Sequence, residues 1–372
     1  MGKIICKENK KHEKELSELK KQFTPENCAI TRIRGYLVNK EKEIESEFNV
    51  PFLNLPEEEI FKYFDIFKKA LSGKQGKTMH NLTFKDRQKQ EYLKWICKNR
   101  LEEDADISAF VDSLVQNRKS IERFLLTIIH VAYDVPGKTT DNEENFDASE
   151  NVHEFNLYCI CPVTLSKPYL CASGSRIEDG ERSWIVNMPD TAFAYPAFTE
   201  RETDYEHIWY YTKSAKELEN QIIEETLGCE VPPTFKETQE NFTQSISIVE
   251  ESIDFPKAKE IFNYLIDITF NEEQTDRPTS KKIIGSILKR VGYSEETAGK
   301  STENLQERLL VKNVVDSKYI KMELPNVAKL KVDTMYSDKI DIVHRDGKNY
   351  LTLEVPGELY MNDIRVKLEE EC

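Results

Sequence analysis

The longest apolar stretch of the chain runs from Phe124 to Val131, interrupted only by Thr127 and His130, and it predicts a buried strand. Cys28 to Val38 alternates imperfectly and is rich in β-branched residues, a further strand signal. Ahead of it, Glu8 to Gln22 reads as a polar helix closed by a turn at Thr24 to Asn27. Ile60, Phe64, Phe67 and Leu71 share one face of a helix opened by Pro56 and Glu57 to Glu59 and stopped by Gly73. Further helices are expected at about Phe84 to Leu101 and Ile107 to Asn117. Beyond Val152 the period shortens to that of strands: His153 to Val163, Ser183 to Met188, Ala192 to Phe198 and His207 to Thr212, separated by Pro, Gly, Ser and Asp. Ser214 to Gly228 then reads as a helix with Ser214 as N-cap, Glu217 completing a capping box, and Gly228 as the stop.

Val231 to Thr234 marks a boundary, followed by a polar linker or surface helix. Ile284, Ile287, Leu288 and Val291 lie on one helical face that ends at Gly292, and Ser294 to Glu296 opens another helix. The last sixty or so residues return to strands, where Lys339 to His344 and Asn349 to Val355 flank Asp346-Gly347, a two-residue hairpin signal. The pattern predicts an α+β fold: helices packed on a mostly antiparallel sheet, then a helical segment and a C-terminal β-hairpin module. The expected boundaries are 1–230 for the α+β domain, 231–255 for the linker or surface helix, 256–312 for the helical segment and 313–372 for the β-rich module.

Composition narrows the function classes. The chain has 372 residues, 39% hydrophobic and 32% charged, with a net charge of −15, so it can bury more than one core beneath a heavily charged surface. That balance opposes a general affinity for nucleic acid, which needs dense Lys and Arg facing phosphates. The lysines of the first twenty-one residues alternate with Glu8, Glu13, Glu15 and Glu18 at helical spacing, as on a solvated helix. The helix pair around Gly292 permits a helix-turn-helix reading, but Glu295, Glu296 and Glu303 would face phosphates badly. No window approaches the roughly 18 apolar residues of a membrane helix, and the lysine-rich start lacks a signal-peptide core, so a cytoplasmic protein without membrane attachment is expected. The 8 cysteines are scattered as reduced thiols would be.

Candidate chemistry is sparse. After the apolar strand, Ala132 to Thr139 matches a phosphate loop in form, with Gly137, Lys138 and Thr139 as its ligand-binding residues. Ala132 replaces the first glycine, Pro136 removes a backbone donor, and the acidic stretch Thr140 to Asp147 would repel a nucleotide. The expectation is an acidic loop leaving a strand. Gly73 to Thr78 also approximates a phosphate loop, but has Leu71 where a glycine belongs. Cys159 and Cys161 share a strand face and could be joined by Cys171 and His153, but the spacing lacks the two close pairs of a zinc site, and no metal or other cofactor is expected. His130, with Asp134 four residues on, reads as a core histidine rather than a general base. Trp184, Tyr195, Trp209, Tyr210 and Tyr211 read as sheet core rather than a stacking platform.

Several phrases together carry a resemblance: Phe23 to Ile33, Glu58 to Gly73, Tyr133 to Lys138, Cys161 to Pro168, and Met188 to Asp190 with Phe193 to Arg201. They resemble a bacterial domain-of-unknown-function family, family 4317, found mainly in Gram-positive anaerobes. The resemblance covers most of residues 14–230 and, more weakly, the helix pair and hairpin beyond. It implies a bacterial cytoplasmic protein and transfers no activity, cofactor or catalytic residue. The resulting expectation is a protein-interaction or regulatory protein without catalysis, with a protein partner. The alternatives are an enzyme acting on a nucleotide or phosphorylated ligand near Asp134, Lys138 and Asp147, and a nucleic-acid-associated protein.

Overall fold

The structure is a computed structural model that describes residues 15–74, 77–138, 144–145, 151–173, 176–199, 201–214, 218–250, 253–271, 280–303, 314, 318–354, 357–361 and 364–367. The chain divides into two compact units, residues 1–236 and 237–372.

The first unit opens with α1 at residues 15–20. It continues with β1 (Ile30–Val38), β2 (Ile44–Pro51), α2 (Glu57–Ala70), β3 (Met79–Thr83), α3 (Arg87–Lys98) and α4 (Asp104–Asn117). Next come β4 (Phe124–Val135), β5 (Gly137–Lys138), β6 (Glu144–Asn145), β7 (Asn151–Leu165), β8 (Leu170–Ser173), β9 (Arg176–Asp179) and β10 (Trp184–Val186). The unit closes with β11 (Thr191–Tyr195), β12 (Ala197–Thr199), β13 (Glu202–Asp204), β14 (His207–Thr212) and a π-helical turn, Ile222–Thr226. The main sheet has eight strands in the order β2-β1-β4-β7-β11-β14-β3, with β10 pairing to the far end of β7. Its pairings are antiparallel.

Both faces of this sheet are covered, which explains why its central strands read as almost unbroken apolar runs. Ile129, Val131, Phe155, Leu157, Cys159 and Trp209 pack with Leu16 and Leu19 of α1 and Phe64 and Phe67 of α2. The alternate residues Leu126, Ile128, Tyr158, Ile160, Phe193 and Tyr210 pack with Leu93 and Ile96 of α3, Phe110 and Leu114 of α4, and Ile222 and Ile223. The spine is the β4–β7 pair, in register from Phe124↔Pro162 to Val135↔Asn151. A slip by one residue would exchange its two faces.

The α+β architecture expected from the pattern is the one observed, with local differences. α3 begins at Arg87, capped by Asp86 accepting from the Gln88 and Lys89 amides, because Phe84 is bridged to Cys229 and cannot join the helix. Pro196 has no N–H for a ladder and divides the expected Ala192 to Phe198 strand into β11 and β12. α2 ends at Ala70 with Leu71 as its cap, so Gly73 is not the stop. At Ser214 to Gly228 the helical residues include the π-turn, while the supposed capping-box residue Glu217 lies outside the described residues, as do most of the N-terminal lysines.

The second unit contains α5 (Phe235–Ser247), α6 (Phe255–Asn271), α7 (Ser280–Arg290) and α8 (Glu295–Thr302). Phe242, Ile261, Leu265, Ile284, Ile287 and Leu288 form their core. Ser294 caps α8 by accepting from the Thr297 amide, and Gly292 adopts φ +95 between the two helices, as the sequence predicts. Three hairpins follow: β15 (Tyr319–Leu324) with β16 (Ala328–Asp333), β17 (Ile340–Arg345) with β18 (Lys348–Leu353), and β19 (Leu359–Met361) with β20 (Ile364–Val366). Asp346 and Gly347 take φ of 51 and 71, the left-handed pair that a two-residue turn requires.

One close approach fixes the β1–β2 edge. Gly35 lies opposite Phe48, and a Cβ at Gly35 would stand 2.1 Å from that ring. Gly35→Ala is therefore expected to lower unfolding free energy by about 1–3 kcal/mol. Equilibrium denaturation checks this, and the loss should shrink when Phe48 is also replaced by alanine.

Candidate functional site

Strand alternation sends His130, Glu154 and Asn156 to the face beneath the end of α3, with His130 directly across from Asn156. His130 is fully buried. Its Nδ1 lies 2.7 Å from Thr31 Oγ1, and its Nε2 lies 3.7 Å from Glu154 Oε2. Arg100, just past α3, binds Glu154 Oε1 at 2.5 Å, and the Cys97 thiol lies 3.6 Å from the Glu154 carbonyl oxygen. Burial pulls the His130 pKa below 6.5, with the Arg100 charge adding to the effect and Glu154 opposing it. Burial also pushes the Cys97 thiol up to about 12. The cluster therefore holds a neutral thiol and a neutral imidazole at pH 7, the opposite of an activated Cys–His pair. What it does is tie the end of α3 to β7.

His153 is on the other face. Its Nδ1 lies 2.9 Å from Thr203 Oγ1, and its ring is 5.0 Å from Phe155 and 4.7 Å from Phe198. Burial lowers its pKa to about 3. Cys159 and Cys161 are fully buried on that same face, as their spacing predicts, and burial pushes both thiols up. Six residues of extended strand, about 20 Å, separate His153 from Cys159, too far for one metal. Cys171 is exposed on β8. Among the described residues no group of three or more His, Cys, Asp or Glu could hold a metal ion.

Two arginine networks gave no sequence signal, because their partners are distant along the chain. Arg118, 2% exposed, reaches Asp190 Oδ2 at 2.6 Å and Glu219 Oε1 at 3.4 Å and lies over the Phe124 ring. Arg34 pairs with Asp104 and donates from Nε to the Leu101 carbonyl at 2.8 Å. Their positions between helix ends and the sheet make them fasteners for α4. The Arg118 network, with both carboxylates largely shielded, is of the kind that costs about 3–5 kcal/mol when one partner is removed.

The segment that matches a phosphate loop in form takes a different geometry from strand, loop and helix. Gly137 and Lys138 form β5, paired with Asn145 and Glu144 of β6, and the chain returns antiparallel as β7. Asp134 is exposed on β4. Thr139 and Asp147 lie outside the described residues. The Pro136 carbonyl at the base accepts from Arg201 Nη2 at 2.7 Å, and Arg201 Nη1 also binds Glu18 at 3.0 Å. Glu18 in turn accepts from the Tyr133 hydroxyl at 2.7 Å.

The aromatic residues of the strand-rich segment separate into two groups. Tyr195, Trp209, Tyr210 and Tyr211 are core, as expected, but Trp184 is 52% exposed. Arg123 lies over its ring, and β10 reaches the sheet only through β7. Ile185, Val186, Met188, Leu170 and Ile177 are exposed with it, so the excursion from Leu165 to Met188 carries an apolar surface outside both cores. The β2 edge of the main sheet exposes Glu45 and Glu47 instead, the charged protection usual for a sheet edge.

The buried histidines give the fold a definite pH response. Unfolded, each takes up a proton as pH falls below 6.5, whereas in the folded state both stay neutral further down, His153 to about 3. The unfolded state thus binds more protons, and stability falls with pH. Urea unfolding between pH 6.5 and 5 is expected to show a loss on the order of 1.4 kcal/mol per pH unit for each histidine. His153→Phe should remove about half of that slope, and a flat profile in the parent chain contradicts the two neutral buried rings.

Comparison with known proteins places these features in a family. No curated protein and no solved structure matches the chain. The family described as Domain of unknown function (DUF4317) matches residues 11–364, spanning both units and every cluster described above. The chain belongs to the DUF4317 family.

Proposed function

We propose that the chain is a bacterial cytoplasmic protein-interaction or regulatory protein that acts by docking a partner rather than by catalysis. The observation that carries this reading is the exposure of Trp184, Ile185 and Val186 on β10 and of Leu170 and Ile177 on the hairpin that precedes it. Large apolar side chains left outside a core mark interaction sites, and a short edge strand adds backbone groups for a partner strand. The state of the buried groups supports it. His130 and His153 are held neutral, and the shifted cysteines Cys97, Cys159, Cys161 and Cys229 are raised away from the reactive thiolate.

The test is capture of a partner from the source bacterium by the immobilised full chain, followed by binding of the purified partner. Trp184→Ser and Ile185→Lys are each expected to weaken that binding about 30-fold or more, as loss of an interface hot spot does. A partner held equally by the variants overturns the reading. So does a rise in melting temperature with Mg²⁺-ATP or Mg²⁺-GTP that Lys138→Ala abolishes, which would favour the nucleotide enzyme; the expected result is no rise.

A further inference from the structure

The sheet face beneath the end of α3 holds polar atoms that the protein itself leaves unanswered. His130 on β4 and Asn156 on β7 are 0% and 1% exposed and stand directly opposite each other in the ladder, with Glu154 two residues along the same face. Among the described residues, His130 Nε2 and Asn156 Oδ1 have no hydrogen-bond partner. Native interiors almost always answer such atoms, from the protein or from bound water, because leaving one bare is costly.

Their neighbours settle which atoms donate and which accept. The Thr31 hydroxyl lies 2.7 Å from His130 Nδ1 and 3.3 Å from the His130 carbonyl oxygen, so its single proton goes to Nδ1 and the ring proton of the neutral imidazole sits on Nε2. That donor lies near a carboxylate without reaching it, since Glu154 Oε2 is 3.7 Å away. Glu154 Oε1 is taken by Arg100. Asn156 gives its amide nitrogen to the Tyr158 hydroxyl at 3.5 Å, which leaves Oδ1 as an acceptor. One donor and two acceptors thus share one buried face, and side chains directly opposite on such a face have Cβ atoms only about 4.5–5.5 Å apart.

We propose that a single buried water binds here, accepting from His130 Nε2 and donating to Glu154 Oε2 and Asn156 Oδ1. Three hydrogen bonds are what a buried water typically makes. The donor set selects it: a cation is opposed by the Nε2 proton, an anion by the Glu154 carboxylate, and a neutral molecule that both accepts and donates satisfies all three atoms. The water completes the carboxylate whose other oxygen holds Arg100. Arg100 and Leu101 both take left-handed backbone, φ 49 and 59, which non-glycine residues adopt at a cost. The Arg100 pair with Glu154 and the Arg34 bond to the Leu101 carbonyl keep that turn in place, so the water braces the strained end of α3 from beneath. This site is separate from the Trp184 surface, and either reading can fail without the other.

A high-resolution crystal structure of the full chain, from crystals grown with and without ammonium salts, tests this. A solvent peak is expected in both, roughly 2.7–3.2 Å from His130 Nε2, Glu154 Oε2 and Asn156 Oδ1. In solution, ¹⁵N-labelled histidine should show His130 as the Nε2–H tautomer, with ring protons that cross-relax with a long-lived water. Asn156→Leu removes one acceptor and should abolish that cross-relaxation; if the variant does not fold, the two readings on the unaltered chain decide. The proposal is overturned by His130 Nε2 bonded directly to Glu154 or Asn156, by the Nδ1–H tautomer, by a peak confined to the ammonium crystals, or by a water signal that survives in folded Asn156→Leu.

Discussion

The antiparallel pairing of β4 with β7, buried from both sides, is the constraint on which the first unit depends. Twelve residue pairs run from Phe124↔Pro162 to Val135↔Asn151. Their alternating side chains seed two separate cores, so one register fixes both. Ile129 and Val131 with Leu157 and Cys159 serve the face beneath α1 and α2, while Leu126 and Ile128 with Tyr158 and Ile160 serve the face beneath α3 and α4. Beyond Val135 the described residues Gly137 and Lys138 pair with Asn145 and Glu144 as a short antiparallel ladder that leads back to β7.

Polar chemistry in this unit is arranged around that ladder and serves it. Arg118 and Arg34 clamp α4 against strands and loops that lie far away in sequence, and Arg100 with Glu154 holds the end of α3. His130 and His153 lie one on each face, both desolvated and neutral. Titratable groups often mark active sites when burial and charge bring them near working pH. Here burial moves the histidines and the shifted thiols the other way, toward the uncharged forms that a packed interior tolerates.

The elements most legible in the sequence were those whose cause is local. The Phe124 run, the Pro56-to-Leu71 helix, the Ser294 cap and the Asp346-Gly347 turn each carry their reason within a few residues. Strand order was not legible, because β3 joins the far edge by pairing with β14, more than one hundred residues later. The arginine networks were hidden for the same reason, with Asp190 and Glu219 remote from Arg118. Phe84 misled the helix reading because its partner is Cys229, a contact no periodicity reports. Trp184 misled in another way: an aromatic β-former read as core, yet the strand Trp184–Val186 pairs only with Val163 to Leu165 at the end of β7. Kinship was legible in whole phrases, and the family match over residues 11–364 agrees with it.

Native-state hydrogen exchange tests the two-sided ladder most directly. The amides of Leu125 to Val131 and of Phe155 to Cys161 should exchange only through global unfolding, sharing one free energy and one denaturant dependence, while those of Trp184 to Val186 open by low-energy local fluctuation. If the β4 or β7 amides open locally, independently of each other and well below the global free energy, the ladder is not the element that holds the two cores in register.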